Sequence, residues 1–267
     1  MPDPMHFEAQ ASNYQQSRPP YPPELWATLR ERGLLHPGTR ALDIGAGTGQ
    51  ATGPMLAADL HVTAVEPGAR LAALLAEAFP AAEVIVGRAE DLELRAASFD
   101  LVVAATSIHW MDLDILLPKI ARLLKPTGRL LVWRNVFGDT AVATPFRERI
   151  EEIVRDRESP ARPGPDAEDA TATAAQLTAG GRFEVEHSST YRWSVDLDAS
   201  QVCALFSTFS DWSTEEVERA ADAVRDLGGR VSEHYTSWLI VLKAVTEGEV
   251  EPDDGEASLP RRAAPSA

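Results

Sequence analysis

Residues 40–49 read Arg-Ala-Leu-Asp-Ile-Gly-Ala-Gly-Thr-Gly, and this stretch decides the fold. An apolar run ending at Asp43 leads directly into three alternate glycines, Gly45, Gly47 and Gly49, and then into an Ala/Leu-rich segment. The missing side chains let a ligand lie against the backbone, and the N–H groups at a helix start point towards it. The pattern therefore predicts a strand, a tight turn and a helix, with a nucleotide-type ligand at the turn.

A second acidic position lies downstream of the glycine loop. His61-Val-Thr-Ala-Val-Glu66 predicts a second strand that ends in a carboxylate, where a doubly wound fold holds a ribose through its hydroxyls. The dinucleotide fingerprint places its third glycine three residues after the second, but Gln50 occupies that position. A nicotinamide oxidoreductase is further disfavoured because none of the four tyrosines belongs to a Tyr-x-x-x-Lys pair.

Helical and strand patterns alternate from residue 40 to about residue 135. Short, near-continuous apolar runs predict parallel strands that helices cover on both faces, at 40–45, 61–66, 82–87, 99–105 and 128–135. Helical patterns occupy 48–58, 68–78 and 112–124. Beyond residue 135 the pattern predicts two further strands, 184–196 and about 231–245, and helices at 144–157, 198–208 and 213–227. The expected fold class is α/β, with a doubly wound, seven-stranded, mostly parallel sheet.

Five segments in order resemble the motifs of the class I S-adenosylmethionine (SAM)-dependent methyltransferases. They are Leu42–Gly49, Val65–Pro67, Gly87–Leu92, Ser98–Val103 and Leu124–Leu131. The resemblance extends to the small-molecule branch, which includes the trans-aconitate methyltransferases. It implies a Rossmann-like methyltransferase fold and SAM as the cofactor.

The resemblance also implies cofactor contacts. Glu66 is expected to accept the two ribose hydroxyls, and Asp43 with the loop 45–49 to receive the amino-acid end, although Asp43 can instead cap the following turn. Ala89 and Glu90 are expected at the adenine edge, next to Arg88, where relatives often carry a small or acidic residue. The expected cofactor-binding residues are Tyr14, Arg18, Asp43, Gly45, Ala46, Gly47, Gly49, Glu66, Pro67, Ala89, Glu90 and Thr106.

Residues 1–39 precede the first strand. Phe7–Tyr14 can be helical, and Arg18–Pro23 is proline-rich and extended. A docking peptide is one interpretation, but the pattern Phe-(x)₆-Tyr-(x)₃-Arg-Pro-x-Tyr-Pro resembles the N-terminal lid of small-molecule methyltransferases. We therefore expect a lid at 1–39, a catalytic domain at 40–245 with a flexible insertion at about 158–170, and a disordered acidic tail at 246–267.

Candidate catalytic groups follow the fourth and fifth strands, at the edge where open α/β sheets bind ligands. His109 is a candidate base because its ordinary pKa of about 6.5 suits proton transfer near neutrality, although it can equally orient or pack. Arg134 can bind a carboxylate or pair with a surface acid. The expected substrate-binding residues are Tyr21, Trp110, Trp133, Arg134, Phe137 and Trp212.

Composition limits the function classes. The 267 residues carry a net charge of −16, so we expect no nucleic-acid partner. A single cysteine, Cys203, excludes an internal disulfide, and the six scattered histidines predict no metal site. Without a signal-peptide pattern or an apolar run of about 20 residues, we expect a soluble, cytoplasmic protein without a membrane partner. The oligomeric state does not follow from the sequence.

Together, these patterns predict methyl transfer from SAM to a small-molecule acceptor, at a carboxylate or hydroxyl oxygen. The alternatives are N- or C-methylation of a small metabolite or peptide, and a SAM-binding protein without methyl transfer.

Overall fold

The structure is a computed structural model that describes residues 17–155, 157, 166, 168–209 and 211–245. Its strands are β1 Arg40–Ile44, β2 His61–Glu66, β3 Glu83–Val86, β4 Phe99–Ala105, β5 Leu124–Phe137, β6 Phe183–Asp198 and β7 Arg230–Ala244. Its helices are α1 Pro23–Glu31, α2 Thr52–Ala57, α3 Ala69–Ala78, α4 Leu113–Leu123, α5 Pro145–Val154, α6 Ala170–Thr178, α7 Ala199–Phe206 and α8 Thr214–Asp226.

The seven strands form one sheet in the order β3-β2-β1-β4-β5-β7-β6. The pairs from β3 to β5 are parallel, whereas β7 runs antiparallel to both β5 and β6. This confirms the predicted seven-stranded, mostly parallel sheet. Because the strand order reverses between β1 and β4, a crevice opens at their carboxyl ends, where doubly wound folds bind ligands.

Helices bury both faces of the sheet. On one face, α4 packs through Leu116 and Ile120 against Val102 and Leu130. On the other face, α1 and α2 cover the alternate strand positions, through Leu25, Leu29, Met55, Leu101, Val103 and Leu131. Alternation along each strand therefore sends neighbouring residues into different hydrophobic cores, as expected for a parallel sheet between two helical layers.

A third hydrophobic core lies where β5, β6 and β7 extend beyond the rest of the sheet. Helices α5, α7 and α8 pack there through Phe146, Phe206 and Val224, together with Leu197 and Val231 of the strands. This helical cluster places α7 opposite the end of β5. It forms one wall of the cavity described below.

Several boundaries differ from the sequence prediction. Helix α2 begins at Thr52 rather than at residue 48, because Gly45, Gly47 and Gly49 adopt φ values of +66°, +57° and +93°, which an α-helix excludes. Strand β5 begins at Leu124, so Lys125–Gly128 lies inside it, where the register with β4 is irregular.

Two helices were missed by the sequence analysis. The proline-rich stretch ends at α1, which starts with Pro23 as a first-turn proline and buries Leu25, Trp26 and Leu29. Helix α6 begins at Ala170 and is capped by Asp169, so it starts at the end of the segment predicted as an insertion. The predicted helix at Phe7–Tyr14 and the acidic tail lie outside the described residues. No helix in the described part of the chain is long and apolar enough to cross a membrane.

Candidate active site

The glycine loop is pressed against the ends of β2 and β4. The backbone N–H groups of Gly45 and Ala46 donate to the carbonyl oxygen of Val65 at 2.8 and 3.0 Å. A Cβ atom at Gly45 would lie 2.6 Å from Cβ of Ser107, so only glycine fits this position. The loop therefore follows the sheet edge closely and leaves its outer side to a ligand.

Glu66 organises this loop from the tip of β2. Its side chain is 6% exposed, and its two carboxylate oxygens accept the N–H groups of Gly47 and Gly68, each at 2.8 Å. An ionised carboxylate offers about four lone-pair sites, so Glu66 retains the capacity to accept further hydroxyl groups. This fits the ribose contact that the sequence predicts, and it adds a structural role in holding the loop.

Asp43 lies fully buried beneath the loop. Its Oδ2 atom accepts the Thr52 hydroxyl at 2.6 Å, which ties Asp43 to the first residue of α2. Its Oδ1 atom is buried without a hydrogen-bond partner in the described structure. Burial, assisted by the charge of Glu66, raises the pKa of Asp43 to about 7. A cationic ligand group would satisfy Oδ1 and favour ionisation, which fits the ammonium end of SAM.

Ala89 and Glu90 lie in a 3₁₀ turn directly after β3. The Glu90 carboxylate accepts hydrogen bonds from the Arg88 guanidinium and from the N–H of Asp112, both at 3.0 Å. Burial opposes ionisation of Glu90, but these hydrogen bonds outweigh it and lower the pKa of its carboxyl group. Arg88 therefore has a local partner, and the adenine contacts of Ala89 and Glu90 stay predictions.

A cavity lies beside the glycine loop, between the lid, the ends of β4, β5 and β7, and the end of α7. Four residues expected at the site line it, namely Arg18, Tyr21, Thr106 and Phe137. The sequence analysis missed six further lining residues, Pro19, Gln50, Asn135, Leu205, Phe209 and Tyr235. Gln50 directly follows Gly49, so the cavity adjoins the predicted cofactor loop.

Hydrogen bonds close the described part of the lid over this cavity. The Tyr21 hydroxyl bonds with the Thr106 hydroxyl at 2.9 Å, and the Gln50 amide donates to the Arg18 carbonyl at 3.1 Å. The Asn135 amide lies 3.4 Å from the carbonyl oxygens of Pro19 and Pro20. Thr106 has φ +59°, a strained conformation for a β-branched residue, and it lies at this contact. Tyr14 lies outside the described residues.

Of the residues expected to act in catalysis or to bind the acceptor, five lie outside the cavity lining: His109, Trp110, Trp133, Arg134 and Trp212. Trp133 is 1% exposed and packs edge-to-face against Tyr21 and Trp26, at centroid distances of 5.7 and 5.5 Å. Its strand position faces α1, so the expected acceptor contact of Trp133 is replaced by a core role. Trp212 packs on Phe206, with centroids 4.3 Å apart, in the helical cluster.

His109 and Arg134 contact each other at the surface. Nη1 of Arg134 lies 3.0 Å from Nδ1 of His109, and Nη2 lies 3.8 Å from the Glu168 carboxylate. Since a guanidinium can only donate, a ring nitrogen of His109 is the acceptor in this contact. Trp110 lies against the His109 ring, with centroids 4.8 Å apart. The structure thus brings the candidate base and the candidate carboxylate-binding arginine together, but not in the cavity.

A buried ion pair behind the cavity was not found by sequence reasoning. Nε of Arg147 lies 2.8 Å from the carboxylate of Glu233, which is fully buried, and the guanidinium lies 4.3 Å from the Phe137 ring centroid. Burial outweighs the attraction of Arg147 and raises the pKa of Glu233 to about 7. No signal in a single sequence links positions 147 and 233, which meet only through the tertiary fold.

This raised pKa predicts a stability that falls as the pH rises. Glu233 holds its proton more tightly in the folded than in the unfolded state, so its contribution is complete below about pH 4.5 and is lost as the pH passes about 7. Urea titrations of the wild type should show the unfolding free energy decrease from pH 5 to pH 8. In Glu233→Gln we expect this decrease to be smaller, by up to roughly 3 kcal/mol. The raised pKa of Asp43 acts in the same direction, so the unfolding free energy of Glu233→Gln should still decrease somewhat with pH.

Glu216→Gln is the matched control. The Arg157 hydrogen bond lowers the pKa of Glu216 to about 2, so its contribution is lost only on acidification below about pH 4.5. Its replacement should leave the change in unfolding free energy between pH 5 and 8 as it is in the wild type. If the wild type and Glu233→Gln show the same change, the raised pKa of Glu233 is contradicted.

Comparison with known proteins agrees with this geometry. Residues 42–132, which run from β1 to β5, match the model of a methyltransferase domain family. The uncharacterized methyltransferase Mb3374 of Mycobacterium bovis is 37% identical over 132 residues, 49% of this chain and 53% of that protein. The uncharacterized methyltransferase C25B8.09 of Schizosaccharomyces pombe is 31% identical over 129 residues, 48% and 51% of the respective chains. The chain thus spans about half the length of these relatives.

The fold comparison reaches beyond the matched domain. A provisionally named type II methyltransferase from Anaeromyxobacter dehalogenans superposes with a TM-score of 0.62 at 22% identity, covering 85% of this chain and 97% of that one. The parallel strands β1 to β5 and the antiparallel β7 thus share the fold of a solved methyltransferase structure. Residues 42–132 match a methyltransferase domain, and one relative, from Saccharomyces cerevisiae, is named a probable S-adenosylmethionine-dependent methyltransferase, at 29% identity over 133 residues.

Proposed function

We propose that the chain transfers a methyl group from SAM to an oxygen of a small molecule, either a carboxylate or a hydroxyl. The observation that carries this proposal is the cavity next to the glycine loop, which the lid closes through Tyr21 and Asn135. A lid held down at this edge favours a compact acceptor over a macromolecule. The net charge of −16 further disfavours a nucleic-acid acceptor.

When bound, SAM would supply an electrophilic methyl group, which a lone pair of the acceptor oxygen would take while the C–S electron pair passes to sulfur. A hydroxyl acceptor would in addition release its proton to solvent, whereas a carboxylate has none to lose. The chain must therefore hold two reactants in line and exclude water. Glu66, Asp43 and the glycine loop are suited to hold the donor. The Tyr21–Thr106 bond and the Gln50–Arg18 bond close the lid over the adjoining acceptor space.

An assay with methyl-labelled SAM tests this proposal. We expect label transfer to at least one member of a panel of small carboxylic acids, phenols and alcohols, with formation of S-adenosylhomocysteine. Protein that binds SAM but labels no member of the panel would contradict oxygen methylation. Label on amines or on carbon would instead support one of the alternative methyl acceptors.

The same assay tests the role of His109. His109 is exposed, lies outside the cavity lining and accepts from Arg134, so we expect His109→Ala to lower kcat by less than about tenfold. The rate with a carboxylate acceptor should be nearly flat from pH 6 to 9, because that acceptor has no proton to lose. A loss of about 10²–10⁴ in kcat, with a histidine-dependent rise in the pH profile, would instead make His109 the general base.

A further inference from the structure

Two ends of the cavity differ in chemistry. Gln50 and Thr106 lie at the end next to the cofactor loop, whereas Phe137, Phe209 and Tyr235 lie at the end next to α7. The second end is mostly aromatic, and Phe137 pairs directly with Tyr235 across β5 and β7. A ligand that spans the cavity would therefore place different groups at its two ends.

Tyr235 contributes a buried hydroxyl at the aromatic end. Its ring stacks on Trp193 with centroids 4.7 Å apart and meets Phe137 edge-to-face at 5.5 Å, which fixes its direction. The residue is 3% exposed, and its hydroxyl is buried without a hydrogen-bond partner in the described structure. Buried hydroxyls without partners are uncommon because their desolvation is costly. A ligand oxygen bound here would provide the missing partner.

The charges around this hydroxyl favour an anion. Arg18 is the one charged residue among the described residues that line the cavity; its guanidinium donates to the Thr208 carbonyl at 3.1 Å and lies 4.6 Å from the Phe209 ring centroid. Behind Phe137, Arg147 is paired with Glu233, whose raised pKa of about 7 leaves this pair with a partial positive charge at neutral pH. Burial is the main cause that raises the pKa of Tyr235, and the charge of Glu233 adds to it. The Tyr235 hydroxyl therefore remains a hydrogen-bond donor at neutral pH.

We propose that Tyr235 and Arg18 anchor a carboxylate of the methyl acceptor, whose apolar body packs against the aromatic wall that Phe137 and Phe209 form, with ring centroids 5.4 Å apart. The methyl-accepting oxygen is then a second group, at the Gln50 and Thr106 end. This inference rests on the proposed function and narrows its substrate class to small acids that carry a further hydroxyl or carboxylate. Tyr235 is a specificity-determining residue in this arrangement, and Arg18 takes the role that the sequence analysis considered for Arg134.

Ligand binding to the full chain tests the anchor. S-adenosylhomocysteine is titrated first; the loaded protein is then titrated with benzoate, which joins a carboxylate to an apolar ring, and with benzamide, its uncharged analogue. We expect millimolar benzoate binding, about tenfold tighter than benzamide binding, and about tenfold weaker benzoate binding in Tyr235→Phe. The substitution removes only the hydroxyl oxygen, so we expect the melting temperature not to fall.

Tyr191→Phe is the matched control, because the Tyr191 hydroxyl is also buried without a partner but lies outside the cavity lining. It should bind benzoate like the wild type. Equal benzoate affinity in Tyr235→Phe and the wild type, no millimolar benzoate binding, or equal binding of benzamide would each overturn the anchor. Failure to bind S-adenosylhomocysteine would overturn the proposed function itself, so the two failures are distinguishable.

Discussion

Replacing Glu66 by alanine should weaken SAM binding by about ten- to a hundredfold. A hydrogen bond to a charged group contributes about 1.5–3 kcal/mol, and this carboxylate is expected to accept the ribose hydroxyls. The structure adds a second reason: Glu66 accepts the N–H groups of Gly47 and Gly68, so its loss also releases the glycine loop. Both effects lower affinity. Isothermal calorimetry with SAM measures the change, and NAD should give no heat.

Glu83→Ala is the control for this experiment. The Glu83 carboxylate accepts the Thr63 hydroxyl at 3.1 Å, but it lies at the start of β3, at the opposite edge of the same sheet. Its removal also deletes a hydrogen-bonded carboxylate, and SAM affinity should remain unchanged. Circular dichroism should show the same helix and strand content in both variants. Unchanged SAM affinity in Glu66→Ala would refute the ribose assignment.

Deleting residues 1–22 should leave a folded domain that has lost most of its turnover, by about a hundredfold or more. Among residues 17–39, the described part of the chain before Arg40, none belongs to a strand of the sheet, and α1 remains to cover its face. The deletion removes the ring contact of Tyr21 with Trp133 and its hydrogen bond with Thr106, and it opens the cavity to water. Misplacing a reactant by about 1 Å can cost about a hundredfold in rate, which sets the expected minimum.

Deleting residues 246–267 removes the same number of residues from the other end of the sequence. That truncation should keep normal turnover, because the tail predicted there carries no site residue. Turnover is followed with methyl-labelled SAM, and folding by thermal unfolding. Normal kinetics after loss of residues 1–22 would show that the lid is dispensable and that water exclusion has another source.

The local part of the cofactor site was predictable from sequence. The strand, the three glycines and the acid at the tip of the next strand are short-range signals, and Asp43, Gly45 and Glu66 lie where these signals place them. Each signal depends on backbone conformation that a few neighbouring residues determine. The seven-stranded sheet followed from the same alternation of apolar strands and helical segments.

The acceptor side was less predictable because it depends on long-range pairing. Tyr235 reaches the cavity only through its register with Phe137, which a single sequence does not specify. Trp133 was misplaced because a continuously apolar strand does not show which face a residue takes. Helix α1 was missed because its proline-rich approach suggested an extended segment throughout.

The position of β7 affects the order in which the protein can fold during its translation. This strand is the last in the described chain, yet it is inserted between β5 and β6, and it carries Tyr235 to the cavity and Ser237 to Asn135. The Ser237 hydroxyl donates to Asn135, whose amide reaches the lid carbonyls, so residues near the start and the end of the chain meet through one relay. On the ribosome, the glycine loop can assemble early, but the cavity must wait until β7 has emerged. Donor binding can therefore arise during translation before acceptor binding does.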